Sequence, residues 1–184
     1  AGFVLAKGSL TSKSSGEGDI RKALIENRLV DCIVNLPAKL FLNTQIPACL
    51  WFLSRNKANG YYRNRTDEIL FIDARNEGHL INRRTRELSP KDIERIVETY
   101  HNWRNPKSKY EDIKGFCNSA TIKRVQELDY VLTPGRYVGL PDDEDDFDFN
   151  ERFTNLKIEF ETQLKEENEL NKLILKNLQK VKFV

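Results

Sequence analysis

The chain has 184 residues, 39% of them hydrophobic and 32% charged, with 30 Lys and Arg against 28 Asp and Glu and a formal net charge of +2. This is the composition of a polar globular chain, unlike collagen or a globally disordered segment, and the length suits one domain or one domain with an appended arm. No run of about 18 apolar residues occurs, so no membrane-spanning helix is expected, and the N-terminus has no basic-then-apolar leader that would read as a secretion signal.

Gly2 to Ala6 is a short continuous apolar run and is predicted to be a strand buried on both faces. A polar loop, KGSLTSKSSGEG, leads into a helix of about ten residues whose apolar stripe is Ile20, Ala23 and Leu24. DCIVNL, residues 31–36, reads as a second buried strand, so strand, helix and strand form a crossover unit with its two strands parallel. PACLWFL, 47–53, is a third strand that returns antiparallel, and EILFIDA, 68–74, is a fourth. Beyond Asn82 the pattern turns helical. Ser89-Pro90-Lys91-Asp92 is a helix start: the Ser hydroxyl accepts from the N3 amide, and Pro at N1 gives up an amide that has no partner. Ile93, Ile96, Val97, Tyr100 and Trp103 follow on one face. A short strand at 114–120, a brief helix at 121–128 and a tight turn at Pro134-Gly135 come next. The last element is an arm from Phe149 to Phe183 with apolar residues at steps of three and four, an amphipathic helix that needs a partner surface. Packing back on its own domain and an intermolecular coiled coil are both compatible with that pattern.

Charge is unevenly spread. From Asp142 onward there are twelve acidic and seven basic residues, and five consecutive acids follow Pro141 in PDDEDDFDF. Like charges that close resist burial, which marks a solvated linker or an acidic docking motif. Between Arg55 and Arg86 there are eight Lys or Arg against four acids, with Tyr61 and Tyr62 interleaved. Such a patch can follow a phosphate backbone, and solvated loops give the same composition.

Catalytic signatures are missing. The loop from Gly8 to Gly18 lacks P-loop spacing, since Lys13 stands where the second Gly is required, and no G-x-G-x-x-G or G-x-S-x-G occurs. His79 and His101 are far apart with no metal-ligand pattern around them. Cys32, Cys49 and Cys117 are odd in number and form no C-x-x-C pair, which argues against a disulfide framework or zinc site and for a reducing, cytoplasmic compartment. With no Met and an apolar opening at Ala1, the chain is read as a piece of a longer protein.

The segments AGFVLAKGSL, EGDIRKALIENRLVDCIVNLP, LPAKLFLNTQIPACLWFL, LFIDARNEG, IVETYHNWR and YVLTPGRYVG together resemble the C-terminal part of the modification (M) subunit of type I restriction–modification systems. These are S-adenosylmethionine-dependent DNA methyltransferases acting on N6 of adenine. The resemblance runs from Ala1 to at least Gly139; beyond the acidic stretch it is one of character only.

The resemblance implies an α/β fold: the C-terminal part of a Rossmann-like methyltransferase sheet, parallel strands plus an antiparallel one, in residues 1–82. A mainly helical region follows in 83–141, then an acidic linker at 142–149 and a long helical arm at 150–184. It places the Gly-rich cofactor loop and the Asn-Pro-Pro-Phe catalytic motif before this region, so neither a catalytic residue nor an S-adenosylmethionine site is expected here, and the chain alone should not methylate DNA. Phe41 falls where an aromatic residue stacks on the flipped target adenine, with Asn43 and Thr44 as pocket-lining candidates; a core position under the loop is the alternative for Phe41. Arg63, Arg65, Arg83, Arg84 and Arg86 are the candidates for the DNA backbone. The implied partners are a specificity subunit, a restriction subunit and double-stranded DNA, with no membrane, and an exposed sheet edge would favour self-association. Two other readings stand beside this one: an assembly module that binds the specificity subunit without touching substrate, and an independent nucleic-acid-binding protein built on the basic patch.

Overall fold

The computed structural model describes residues 1–41, 44–140 and 149–179. It divides into two units, Ala1–Asp143 and Glu144–Val184. The first is built on a five-stranded mixed sheet of β1 (Gly2–Ala6), β2 (Val30–Asn35), β3 (Ala48–Leu53), β4 (Glu68–Asp73) and β7 (Cys117–Thr121), in the order β1-β3-β2-β4-β7. β3 is antiparallel to both β1 and β2, β2 is parallel to β4, and β7 is antiparallel to β4. β1, β2 and β4 therefore all point the same way. The crossover from β1 through α1 (Glu17–Glu26) gives the expected common direction. Its two strands are not neighbours, however, because β3 inserts between them.

β2 is buried along its whole length and β4 nearly so, as continuous runs of β-branched and aliphatic residues should be when helices cover both faces. On one face Ile33, Trp51, Ile69 and Phe71 pack against Leu10, Ile25 of α1, Val125 of α3 (Ile122–Glu127) and Leu132. Tyr137 stacks on Phe71 with ring centroids 3.8 Å apart. On the other face Cys32, Val34, Leu70 and Ile72 pack with Trp103 of α2 (Pro90–Arg104) and Phe116. The start of α2 is the expected capping box: Asp92 N donates to Ser89 Oγ at 3.3 Å and Ser89 N donates to Asp92 Oδ2 at 2.7 Å. β7 lies within the segment expected to be a helical extension and completes the sheet edge.

Two expectations are corrected. β1 is a strand but not a buried one: all five residues are exposed, because it pairs only with β3 and has no neighbour on its other edge among the described residues. Beside it each face keeps an uncovered apolar groove, about 400 Å³ along Phe3, Leu5, Ile20, Leu24, Trp51 and Leu53, and about 430 Å³ along Val34, Leu50, Phe52, Ile96 and Tyr100. In α1 the inward face carries Ile25 and Arg21 rather than Ile20, which is exposed. Arg21 is tolerated inside because its guanidinium donates to the carbonyls of Tyr130, Ser12 and Ser9, tying the connection before α1 to the segment after α3.

The second unit is α4 (Phe149–Leu178), a helix of 30 residues. Phe153, Leu156, Phe160, Leu164, Leu170, Ile174 and Leu178 are all exposed along it. The acidic stretch expected at 142–149 lies almost wholly outside the described residues.

Candidate functional site

Strand direction sorts the loops into two groups. Lys7, the 36–47 loop and the 74–88 segment lie at the carboxyl ends of β1, β2 and β4, and the 54–67 segment lies at the opposite end. Ligands of open α/β sheets bind outside the carboxyl ends of the strands, which makes the first group the functional rim.

Phe41 sits on that rim, in the loop that leaves β2. Lys39 adopts a left-handed φ of 69°, a costly conformation for a residue with a Cβ, and it is held there from two sides. Its carbonyl accepts from Arg86 N at 2.8 Å, and its ammonium group donates to the Arg83 carbonyl at 3.0 Å. Phe41 bridges to Thr44, whose amide donates to the Phe41 carbonyl at 3.4 Å, and Thr44 Oγ1 accepts from Ile46 N. Phe41 is 42% exposed, so it is not a core residue beneath the loop. Thr44 is exposed as well, while Asn43 lies outside the described residues.

The two bonds from Lys39 fasten this loop to a small hairpin formed by β5 (His79–Leu80) and β6 (Arg86–Glu87). Its base requires glycine: Gly78 has φ of 78°, and a Cβ there would lie 2.5 Å from the Glu87 carbonyl oxygen. Its tip is an Asx turn in which Asn82 Oδ1 accepts from the amides of Arg84 and Thr85. Arg83 and Arg84 project from this tip with exposed side chains. Arg86 does not share their freedom; its Nη1 donates to the carbonyls of Glu77 and Gly78 and closes the hairpin.

Arg63 and Arg65, grouped with these arginines by sequence, are at the other end of the sheet. β4 has six residues at about 3.3 Å each, which puts roughly 17 Å between its two ends. Arg65 is only 3% exposed and pairs with buried Asp31 at the start of β2, which also accepts from Tyr100 OH. Arg63 spends its fork on both oxygens of Glu68 and its Nε on the Trp103 carbonyl. Burial alone would raise Glu68, but hydrogen bonds from Arg63 and Ser119 outweigh it and hold the carboxyl below its ordinary value. Lys57 completes this cluster, its buried ammonium donating to the carbonyls of Val30 and Glu68. These residues brace the strand starts and present no fork to a phosphate.

Sequence reasoning passed over the cluster at the ends of β2 and β4. Asn35 Nδ2 donates to Asp73 Oδ1 at 3.2 Å, and Arg75 lies against the same carboxylate at 2.7–2.9 Å. This bond raises the Arg75 pKa further and keeps the group charged. The only signal was an Asp-Ala-Arg triplet closing a strand. Among the described residues no group of three His, Cys, Asp or Glu side chains is placed to hold a metal. The connection from β1 to α1 carries Gly8, Gly16 and Gly18, but it opens with a 3-10 turn, Lys7–Leu10, and has neither G-x-G-x-x-G nor P-loop spacing; Pro37 lies in the loop after β2.

Residues 1–146 match the model of the N-6 DNA methylase family. The chain is 46% identical over 177 residues to the type I restriction enzyme HindI methylase subunit of Haemophilus influenzae, covering 96% of this chain and 38% of that one. It is 37% identical over 185 residues to the MjaIX methylase subunit of Methanocaldococcus jannaschii, of which it spans 32%. Among solved structures it is similar to the type I restriction–modification methyltransferase subunit of Streptococcus thermophilus, at 32% identity and a TM-score of 0.63, covering 76% of this chain and 26% of that one. The chain thus spans well under half the length of these relatives. With the match running through both the Phe41 loop and the arginine hairpin, the chain belongs to the N-6 DNA methylase family.

Proposed function

We propose that this chain is the part of a type I modification subunit that receives the target adenine and the DNA backbone beside it. The intact enzyme transfers a methyl group from S-adenosylmethionine to adenine N6. The observation that carries this reading is the exposed ring of Phe41, fastened through Lys39 to a hairpin that displays Arg83 and Arg84. Adenine N6 is out of reach inside a duplex, so the base must be extruded and held on an aromatic or apolar face. Phe41 offers that face at the carboxyl ends of the same-direction strands, and the two arginines supply positive charge for the flanking phosphates.

S-adenosylmethionine supplies the methyl group in such an enzyme, but the residues present do not fit it, because the connection from β1 to α1 lacks G-x-G-x-x-G spacing and opens with a 3-10 turn. We assign the cofactor loop and the catalytic motif to the portion of the relatives' length that this chain does not span. By itself the chain is expected to be inactive. The same missing portion is assigned to the open edge of β1 and its two flanking grooves; without it that edge favours self-association. The three buried free thiols suit a reducing cytoplasm. Target choice falls to a specificity subunit, and a restriction subunit joins the same assembly.

The test is Phe41→Ala in the intact subunit assembled with its specificity subunit. Stacking on an aromatic contributes about 1–3 kcal/mol per base, so kcat/KM for methyl transfer should fall by about one to two decades, with Phe41→Trp retaining most activity. Unchanged kinetics in the Ala variant would remove Phe41 from the site.

A second role is favoured by α4, whose exposed apolar residues recur at helical spacing. We assign this helix to docking on the specificity subunit, alongside rather than instead of the base-binding role.

A further inference from the structure

Asp73 ends β4 with a side chain only 3% exposed. A buried carboxylate needs compensation, and it receives it from both sides. Asn35, itself fully buried, donates its amide to Oδ1. Arg75 Nε lies 2.8 and 2.9 Å from the two carboxylate oxygens, Arg75 Nη2 lies 2.7 Å from Oδ2, and the Arg75 amide donates to Oδ1 at 3.3 Å. The turn Pro134–Arg136 walls the same corner closely: a Cβ on Gly135 would stand 3.1 Å from Arg75 Nη2 and 3.4 Å from Asp73 Oδ2, so a larger residue there would press on the arginine.

The result is an arginine with one edge clamped and the other edge outward. Its side chain is 52% exposed, and Nη1 has no partner among the described residues. A pair serving packing alone would bury both members; here only the carboxylate is buried. The corner is also built for polar chemistry rather than close packing, since Asn35 Oδ1 is buried without a partner among the described residues. A planar fork held in this way is pre-organised for bidentate contact with a phosphate. Two nearby carboxylates are engaged, Asp73 by Arg75 and Glu77 by Arg95 at 2.7 Å, while Glu87 on the hairpin is exposed. Arg75, Arg83 and Arg84 outnumber that one carboxylate from the end of β4 to the hairpin tip, an arrangement that suits an extended polyanion.

We propose that Arg75, positioned by Asp73 and Asn35, is a fixed contact for a DNA backbone phosphate beside the extruded adenine. The assignment rests on the methyltransferase reading of the Phe41 rim. It is tested in the intact methylase subunit assembled with its specificity subunit, by titrating target duplex between about 50 and about 200 mM salt. Arg75→Gln should weaken binding about tenfold at low salt, equally for target and non-target duplex, and should reduce the slope of log K against log salt by about 0.9. Arg75→Lys, which keeps the charge and loses the fork, should restore the slope but only part of the affinity. A wild-type slope in Arg75→Gln overturns the proposal. Loss of the specificity subunit from Arg75→Gln with the slope unchanged also overturns it, and assigns the residue to a protein interface. If Phe41→Ala impairs methyl transfer while Arg75→Gln binds normally, this proposal fails and the reading of the rim stands; if the wild-type complex does not methylate DNA, the reading itself fails.

Discussion

Lys57 places an ammonium group in the interior at the amino end of the sheet, where burial pushes its pKa down to about 8 from 10.5. Below about pH 8 the group is charged in both folded and unfolded chains, and folding carries the desolvation cost. Between about 8 and 10.5 the folded chain has released the proton while the unfolded chain still holds it, so this residue's contribution to stability rises with pH, by up to about 3 kcal/mol. Buried Cys32 and half-buried Tyr100 act in the opposite sense at high pH, because desolvation raises their pKa values, that of Tyr100 to about 12. The Lys57 contribution is therefore read as a difference. In denaturant titrations, Lys57→Met should destabilise the chain more at about pH 10 than at about pH 7. A penalty that stays constant or shrinks with pH would contradict this account of the buried cluster. None of it was legible in sequence, where Lys57, Arg63 and Arg65 read only as positive charge. Their burial depends on the 54–67 segment folding back over Asp31 and Glu68, a long-range fact that composition does not carry.

At the scale of elements, what could be read was what local chemistry decides. The Ser89 cap, the length of α1, and the identities of β2 as a buried strand and β4 as a strand follow from capping geometry and uninterrupted apolar runs. Neighbour order could not be read, because an apolar strand reports that it is covered but not by what. Hence β3 between β1 and β2, and β1 at an open edge, emerge only from the structure. The candidate site divides in the same way. Phe41 became a candidate through the family resemblance, which places a stacking aromatic after that strand, whereas the Asp73–Asn35 and Lys39–Arg86 contacts join residues 38 and 47 apart in sequence, and the Asp-Ala-Arg triplet alone did not mark Arg75 as a site. α4 is an element whose periodicity was plain and whose partner was not. Removing residues 149–178 from the intact subunit should abolish co-purification with the specificity subunit while leaving the melting transition of the remaining subunit in place. Full retention of the complex would take the docking role away from this helix.

Over the whole molecule, one end of the sheet is closed by paired charges and the other is left open to a ligand. Arg63–Glu68, Arg65–Asp31 and the Lys57 carbonyl contacts engage the charges at the amino ends, so the cavity of about 400 Å³ there, along Arg63, Glu68, Trp103 and Ser119, has charged walls that are already paired. The carboxyl ends instead expose an aromatic ring and arginines on loops that are hydrogen-bonded to one another. That polarity is what favours the proposed base-receiving role over an assembly module alone. The most direct measurement replaces the target adenine with 5-iodouracil in a duplex bound by the intact methylase and specificity subunits, irradiates it, and maps the crosslinked residue by mass spectrometry. An extruded base stacked on the rim should crosslink at Phe41, and the yield should collapse in Phe41→Ala. A crosslink that maps elsewhere, with its yield unchanged in that variant, would contradict the assignment of the target base to this chain.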